Sequence, residues 1–406
     1  MIYKINLLFF SLLPLSLVFS NFIADFTISL MSLTFLFLII KNKNFEYLNN
    51  YFFFIFFTWW LYLILTSILS NDIQFSFESS LFYIRFILFA LSISFFIEKD
   101  KNFFKFFLFV IFFTFLLLAI DSFIQLVFGF NILLYEISDT GIFGSRVSSF
   151  FKDEYILGSF LVRLLPFILI FYIFFMNEKI KYAKLSIIFC LSIIDLTIFI
   201  SGERTAILYL LLFSVSFFIF SKKIINIIIF KNIFTIFLIV CTLFLYENIR
   251  KRVFDYTIYQ LFENNQNIIK PNHESNDKQN KITLDNNKIN NNLQKNNLIS
   301  IDRSDLNNFL LIEDIDISFF SVQHEVVYKT ALKIFQDNYI FGIGPKMFRK
   351  ICKDTKYSTF SDLDKTIDGC QSHPHNSYIQ LLSETGIIGF LFVFIFFVYV
   401  CYKLFI

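Results

Sequence analysis

Two of the chain's four histidines stand two residues apart in His373-Pro374-His375-Asn376, and Ser377, Gln380, Glu384, Gly386 and Gly389 follow closely. Imidazole exchanges its proton near neutral pH, so such a pair beside an amide and a carboxylate suits general acid–base chemistry. Ser377 and Gln380 have capping-box spacing, which predicts a short helix starting there. Its buried face would carry Tyr378, Leu381, Leu382 and Thr385, and Gly386 would close it. His375 would then sit just outside a helix N-terminus, a position that favours anions and keeps an imidazole neutral. The same residues also read as an ordinary capped helix leading into the next apolar run.

Other side chains invite phosphate chemistry. Ser201-Gly202-Glu203-Arg204-Thr205 is a tight turn between two apolar runs. Arg204 is either a guanidinium that grips a phosphate with two parallel hydrogen bonds, or a snorkelling side chain paired with Glu203. Arg163 lies within an apolar run, where an ionisable group usually faces an internal cavity; pairing with Asp121 or Asp195 is the alternative. Arg146 is nearer the surface and also reads as simply solvated. His324 opens an amphipathic helical pattern through Val326, Val327, Ala331, Leu332 and Phe335, which Asp337-Asn338 and Gly342-Ile343-Gly344-Pro345 end. Lys346, Arg349 and Lys350 come next and also suit a face turned to lipid headgroups. These glycines match no nucleotide fingerprint, because no strand precedes them.

Cys352 and Cys370 lie just ahead of the histidines. In an oxidising location they form a disulfide that braces the loop. The competing arrangement is a Cys₂His₂ metal site with His373 and His375, although the spacing is not a standard zinc pattern. Cys190, Cys241 and Cys401 fall in apolar runs and read as inert.

The elements that must position these groups follow from hydropathy. The chain has 406 residues, of which 56% are hydrophobic and 21% aromatic, too apolar for a soluble fold. Its 64 phenylalanines, with abundant Ile, Asn and Lys, read as a composition bias rather than a functional signature. Apolar runs able to cross a bilayer fall near 5–20, 22–40, 51–70, 81–97, 103–120, 156–176, 185–200, 206–221, 233–246 and 387–402. The first reads as a retained helix rather than a cleaved signal. Lys41, Lys43, Lys99, Lys101, Lys179, Lys181, Lys184, Lys222, Lys223 and Lys231 mark every second connection, whereas Asn71–Ser80 is free of Lys and Arg. The positive-inside rule then places both termini in the cytoplasm and the candidate residues outside. The expected organisation is a bundle over 1–246, an outer loop over 247–386 and a last span over 387–406. Within that loop, 264–297 is an Asn- and Lys-rich insertion of low complexity, read as disordered.

His375-Asn376 with Gly386 and Gly389, preceded by Ser201-x-x-Arg204-Thr205, resembles the hallmark of the O-antigen ligase and polymerase superfamily. The run from Ala331-Leu332 through Asp337-Asn338, Gly342-Ile343-Gly344 and Phe348-Arg349 is similar to the segment before that family's histidine motif. Asp121 to Gln125, Arg146 and Gly158 are similar to its middle region. The resemblance covers about residues 100 to 400. It implies an all-α GT-C-like membrane glycosyltransferase that uses a polyisoprenyl-diphosphate-linked glycan and needs neither metal nor cofactor. It implies Arg204 on the diphosphate and His375 activating the acceptor hydroxyl, with Arg146, Arg163, His324, Arg349, His373 and Asn376 around the substrate. Where the family has a second phosphate-binding arginine this chain has His324, and Arg349 is the substitute. The family also continues beyond the motif with more than one span, whereas this sequence carries one.

The implied partners are a lipid-linked glycan donor, lipid A–core or a lipid-linked acceptor, and membrane lipids, with no nucleic acid. The implied activity is ligation onto lipid A–core at the periplasmic face of the inner membrane. Polymerisation of lipid-linked repeats and protein O-glycosylation are the variants within the family. A secondary transporter lined by Arg163 and Asp195 is the alternative of another class, but it predicts internal repeats with broken helices, and none is visible.

Overall fold

In lipid a chain can satisfy its own backbone only as helices or a closed barrel, and here the apolar runs fold as helices. The computed structural model describes residues 2–100, 102–139, 145–152, 154–175, 183–220, 225–251, 322–360 and 367–405. In order they form α1 (Ile2–Phe19), α2 (Asn21–Asn42), α3 (Tyr51–Ile68), α4 (Ile73–Leu81), α5 (Ile84–Lys99), α6 (Asn102–Phe128) and α7 (Leu157–Phe175). Then come α8 (Ala183–Ser201), α9 (Arg204–Phe220), α10 (Ile225–Leu245), α11 (Glu247–Lys251), α12 (Val322–Asp337), α13 (Phe348–Ile351) and α14 (Ser377–Phe405). A two-residue antiparallel ladder pairs Ser138 with Arg146 and Asp139 with Ser145. Among the described residues eight helical stretches are long and apolar enough to span a bilayer, and Leu157–Tyr172 and Arg204–Ile219 are shorter apolar helices. The chain is an all-α, multi-pass membrane protein. The insertion expected at 264–297 lies outside the described residues.

Two sequence expectations need correction. Ile73–Leu81, expected within a connection, is helical because Asp72 caps it, its Oδ1 accepting from the Phe75 amide at 3.0 Å. Ser76 and Ser80 then meet Ser67 of α3 through their hydroxyls, 3.1 and 2.5 Å away. Lys231, expected to mark a connection, lies inside α10 and is 1% exposed. Its Nζ donates to Asp195 Oδ2 of α8 at 2.6 Å and to Ser214 Oγ of α9 at 3.4 Å, while Thr235 donates to the same carboxylate oxygen at 3.0 Å. One buried ion pair therefore ties three helices together.

Alternation of the spans sends residue 20 and the described connecting residues 69–72, 129–139, 145–152, 154–156, 202–203, 246–251, 322–360 and 367–376 to one end of the bundle, here the head. Contacts between distant parts of the sequence agree with this. Phe19 packs on Phe150 at 5.0 Å between centroids, Arg85 pairs with Asp25 at 3.0 Å, and Ser76 Oγ donates to the Pro345 carbonyl at 3.0 Å. At the other end Tyr47 donates to Glu98 at 2.5 Å. The core between them is built from stacked rings, including Phe10 with Phe103 and Phe107 (4.8 and 4.4 Å) and Phe112 with Phe171 (4.5 Å). Inside a membrane such packing contributes dispersion rather than water release. Phe22 and Phe244, by contrast, are open on the outside of the bundle, where lipid would cover them.

Candidate functional site

The histidine corner is built at the head by α12 and the segment that leads into α14. Val327, Ala331 and Ile334 of α12 pack with Ile343, Met347, Phe348, Cys352 and Tyr357 in a small core of their own. Cys352 is joined to Cys370 by a disulfide with Cα atoms 5.1 Å apart, which ties the segment before the histidines to this core. Pro374 is buried, and His375 takes a left-handed backbone with φ +56°. That conformation costs a non-glycine residue about 1–2 kcal/mol, and it is held from both sides. On its far side Asn376 caps α14, its Oδ1 accepting from the Tyr378 and Ile379 amides at 3.0 and 3.2 Å. The cap is thus Asn376 and not Ser377, and Gln380 Nε2 donates to Glu384 instead, at 3.2 Å.

This turn brings three imidazoles together. The centroids of His373 and His375 lie 4.3 Å apart, and His324 of α12 meets His375 edge-on at 5.7 Å. Ser372 Oγ and His373 Nδ1 are hydrogen-bonded at 2.8 Å. All three residues remain open to solvent at one side. Partial burial, then the charges of His373 and His324, hold His375 below its ordinary value of 6.5, and burial does the same to His324. The cluster therefore favours a neutral imidazole at neutral pH.

Beneath it lies a seam of close backbone contacts. Gly386 ends the first helical segment, as expected: it adopts φ +66° and ψ −172°, and a second helical segment starts beyond this kink, so α14 is two helices in succession. The break frees backbone groups that the loop after α12 takes up: Ile343 N and Gly344 N donate to the carbonyls of Ser383 and Glu384 at 3.1 and 2.8 Å, and Ile387 N donates to Tyr339 O at 2.8 Å. Tyr62 of α3 donates to the Thr385 carbonyl at 2.6 Å. The face expected to be buried differs accordingly, since Ser383, Glu384 and Thr385 are buried while Tyr378 is 69% exposed. A Cβ at Gly386 would lie 2.2 Å from the Ile340 oxygen, and one at Gly342 2.4 Å from the Glu384 carbonyl carbon. Gly386→Ala is expected to cost about 1–3 kcal/mol, because its φ/ψ region is open only to glycine. Limited proteolysis of the 339–347 loop and the unfolding midpoint in detergent would register this; unchanged values would contradict the seam.

Lys350 anchors the same loop, pairing with Asp72, whose carboxyl it holds below the usual range, and lying 4.0 Å over the Phe75 ring. Arg349 is exposed on α13 and its charge bears on Glu384. Glu384 also accepts from the Phe348 amide at 3.4 Å.

The arginine corner is the second part of the head. Glu203 accepts from the amides of Gly158 and Ser159 at 2.6 and 3.1 Å and from the Ser159 hydroxyl, so its carboxylate caps α7. Arg204 starts α9 with its side chain exposed. Arg146 stacks over Tyr155 at 4.8 Å and interacts electrostatically with Arg204. Arg163 lies one turn below Ser159 on the same face of α7, and it is exposed. Pairing of Arg163 with Asp121 or Asp195 is not what forms. Asp121 instead binds Ile132 N, Ser149 Oγ and Asn131 Nδ2 at 2.8, 2.5 and 3.3 Å, and Asp195 holds Lys231.

The structure thus gathers His324, His373 and His375 with Asn376 beneath them, and separately Arg146 with Arg204. Arg349 stands beside Glu384. Among the described residues no group of three or more His, Cys, Asp or Glu side chains has the geometry to hold a metal ion. Sequence reasoning missed Ser372, Glu384 as a buried anchor, and Lys231. Only Ser372 had a local signal, its adjacency to His373.

A family model described as O-antigen ligase matches residues 186–394, just over half of the chain. The matched region runs from α8 to the last helix and includes Arg204, His324, Arg349, His373 and His375. No curated protein and no solved structure matches.

Proposed function

Because the chain belongs to the O-antigen ligase family, we propose that it is a metal-independent, inverting glycosyltransferase moving a polyisoprenyl-diphosphate-linked polysaccharide onto lipid A–core. The observation that supports this reading is that a neutral-leaning imidazole cluster and a separate guanidinium corner stand at the same end of one bundle. The lysines at 41, 43, 99 and 403 lie at the opposite end, so the positive-inside rule supports a periplasmic head and cytoplasmic termini in the inner membrane.

In this reading His375 removes the proton from the acceptor hydroxyl as that oxygen attacks the anomeric carbon. The bond to the diphosphate breaks with its electron pair going to the leaving oxygen, and attack from the opposite face inverts the anomeric centre. Arg204, with Arg146 and Arg163 on neighbouring elements, stabilises the charge that develops on the diphosphate. His324 and Arg349 are the candidates for the second phosphate contact, and His324 meets the base edge-on at 5.7 Å.

Arg204→Lys keeps the charge but loses the planar fork, so kcat for glycan transfer in proteoliposomes is expected to fall by about 10²-fold. Unchanged kcat would remove Arg204 from the reaction. The substrate pairing is tested separately by the surface glycan of a deletion strain. Long lipid-linked chains beside bare core support ligation; single repeats on the core would identify a polymerase.

A further inference from the structure

Loss of a proton from the acceptor leaves His375 charged, and the base must be reset before another turnover. His373 is held for that task. In the tautomer whose Nδ1–H donates to the Ser372 hydroxyl oxygen, 2.8 Å away, its Nε2 keeps a lone pair. Its centroid lies 4.3 Å from that of His375, which puts ring edges at contact distance, and it is exposed to water. We propose that His373, oriented by Ser372, is a positioning residue that takes the proton from His375 and passes it to solvent. This rests on the reading of His375 as the base.

The step balances. The acceptor O–H breaks, its proton moves to His375, then to the free nitrogen of His373, and finally to water, while the diphosphate leaves with the electron pair. His324 faces His375 from α12, at 5.7 Å. On that helix Glu325 and Lys329 pair with each other at 2.7 Å, Lys350 is paired with Asp72, and Glu384 is buried under Gln380 and Phe348. His324 and His373 both meet His375 and are open to water, and His373 is the nearer of the two, at 4.3 Å against 5.7 Å.

The test uses the full chain in proteoliposomes, with polyprenyl-diphosphate-linked glycan extracted from cells lacking the enzyme as donor and lipid A–core as acceptor. His373→Gln keeps an amide for Ser372 but cannot carry the proton. The expected result is a fall in kcat on the order of tenfold with KM unchanged, smaller than the ~10²-fold minimum for loss of a base. The acid limb of the pH profile should also move up towards the ordinary histidine value, because a neighbouring positive charge is gone. Added imidazole should restore much of the rate. An unchanged rate and profile, a rise in KM alone, or a loss that imidazole does not restore would each overturn the role of His373. His375→Asn, run alongside, separates the two readings: if it transfers normally, the base assignment itself fails.

Discussion

His375→Asn is expected to lower glycan transfer by about 10²- to 10⁴-fold, the usual contribution of a positioned general base. Asparagine is the informative replacement because it tolerates the left-handed backbone that His375 adopts. Alanine at the same φ adds strain and would mix a folding defect into the kinetics. The pH dependence has a definite sign. Burial and the two neighbouring imidazoles keep the folded-state pKa of His375 below 6.5, so the base is available at neutral pH. Activity is then lost as pH falls through that depressed value. Stability follows the same direction, being full above 6.5 and declining on acidification. Normal transfer by a correctly inserted His375→Asn protein would discard the mechanism.

Lys231→Met is expected to destabilise the bundle by about 3–5 kcal/mol, the cost of leaving a buried charge without its partner. Asp195 would keep Thr235, but its second oxygen, Oδ1, already has no hydrogen-bond partner among the described residues. The double variant Lys231→Met with Asp195→Leu removes both charges and should recover most of that loss. Unfolding midpoints in detergent, with the double-mutant cycle closed by Asp195→Leu, give the coupling directly. Additive single effects would mean that the pair contributes little. Because Ser214 of α9 shares the lysine, the single variant should also loosen the helix that begins with Arg204.

Hydropathy made the spans legible, since a run of apolar residues in lipid has few alternatives to a helix. The histidine motif and the arginine turn were legible as types and spacing. What sequence did not reveal was partnership across the fold. Lys231 read as a connection flank because its partner Asp195 lies on another helix. Glu203 adjoins Arg204 in sequence yet serves α7, because orphan amides at a helix start compete for a carboxylate. Gly386 carried the signature of a helix end and is one, but sequence did not show that a second helix follows across the kink while a distant loop takes up the freed hydrogen bonds. His324 and His375 are 51 residues apart, and only the packing of α12 on α14 makes them neighbours.

The bridge between Cys352 and Cys370 has a bearing on biogenesis. On the proposed orientation, its two thiols meet an oxidant only after the surrounding segment has crossed the bilayer. Sealing of the histidine turn is then a late maturation event, and a newly synthesised copy stays idle until it has been exported. Cells with impaired thiol oxidation should hold inserted but silent protein.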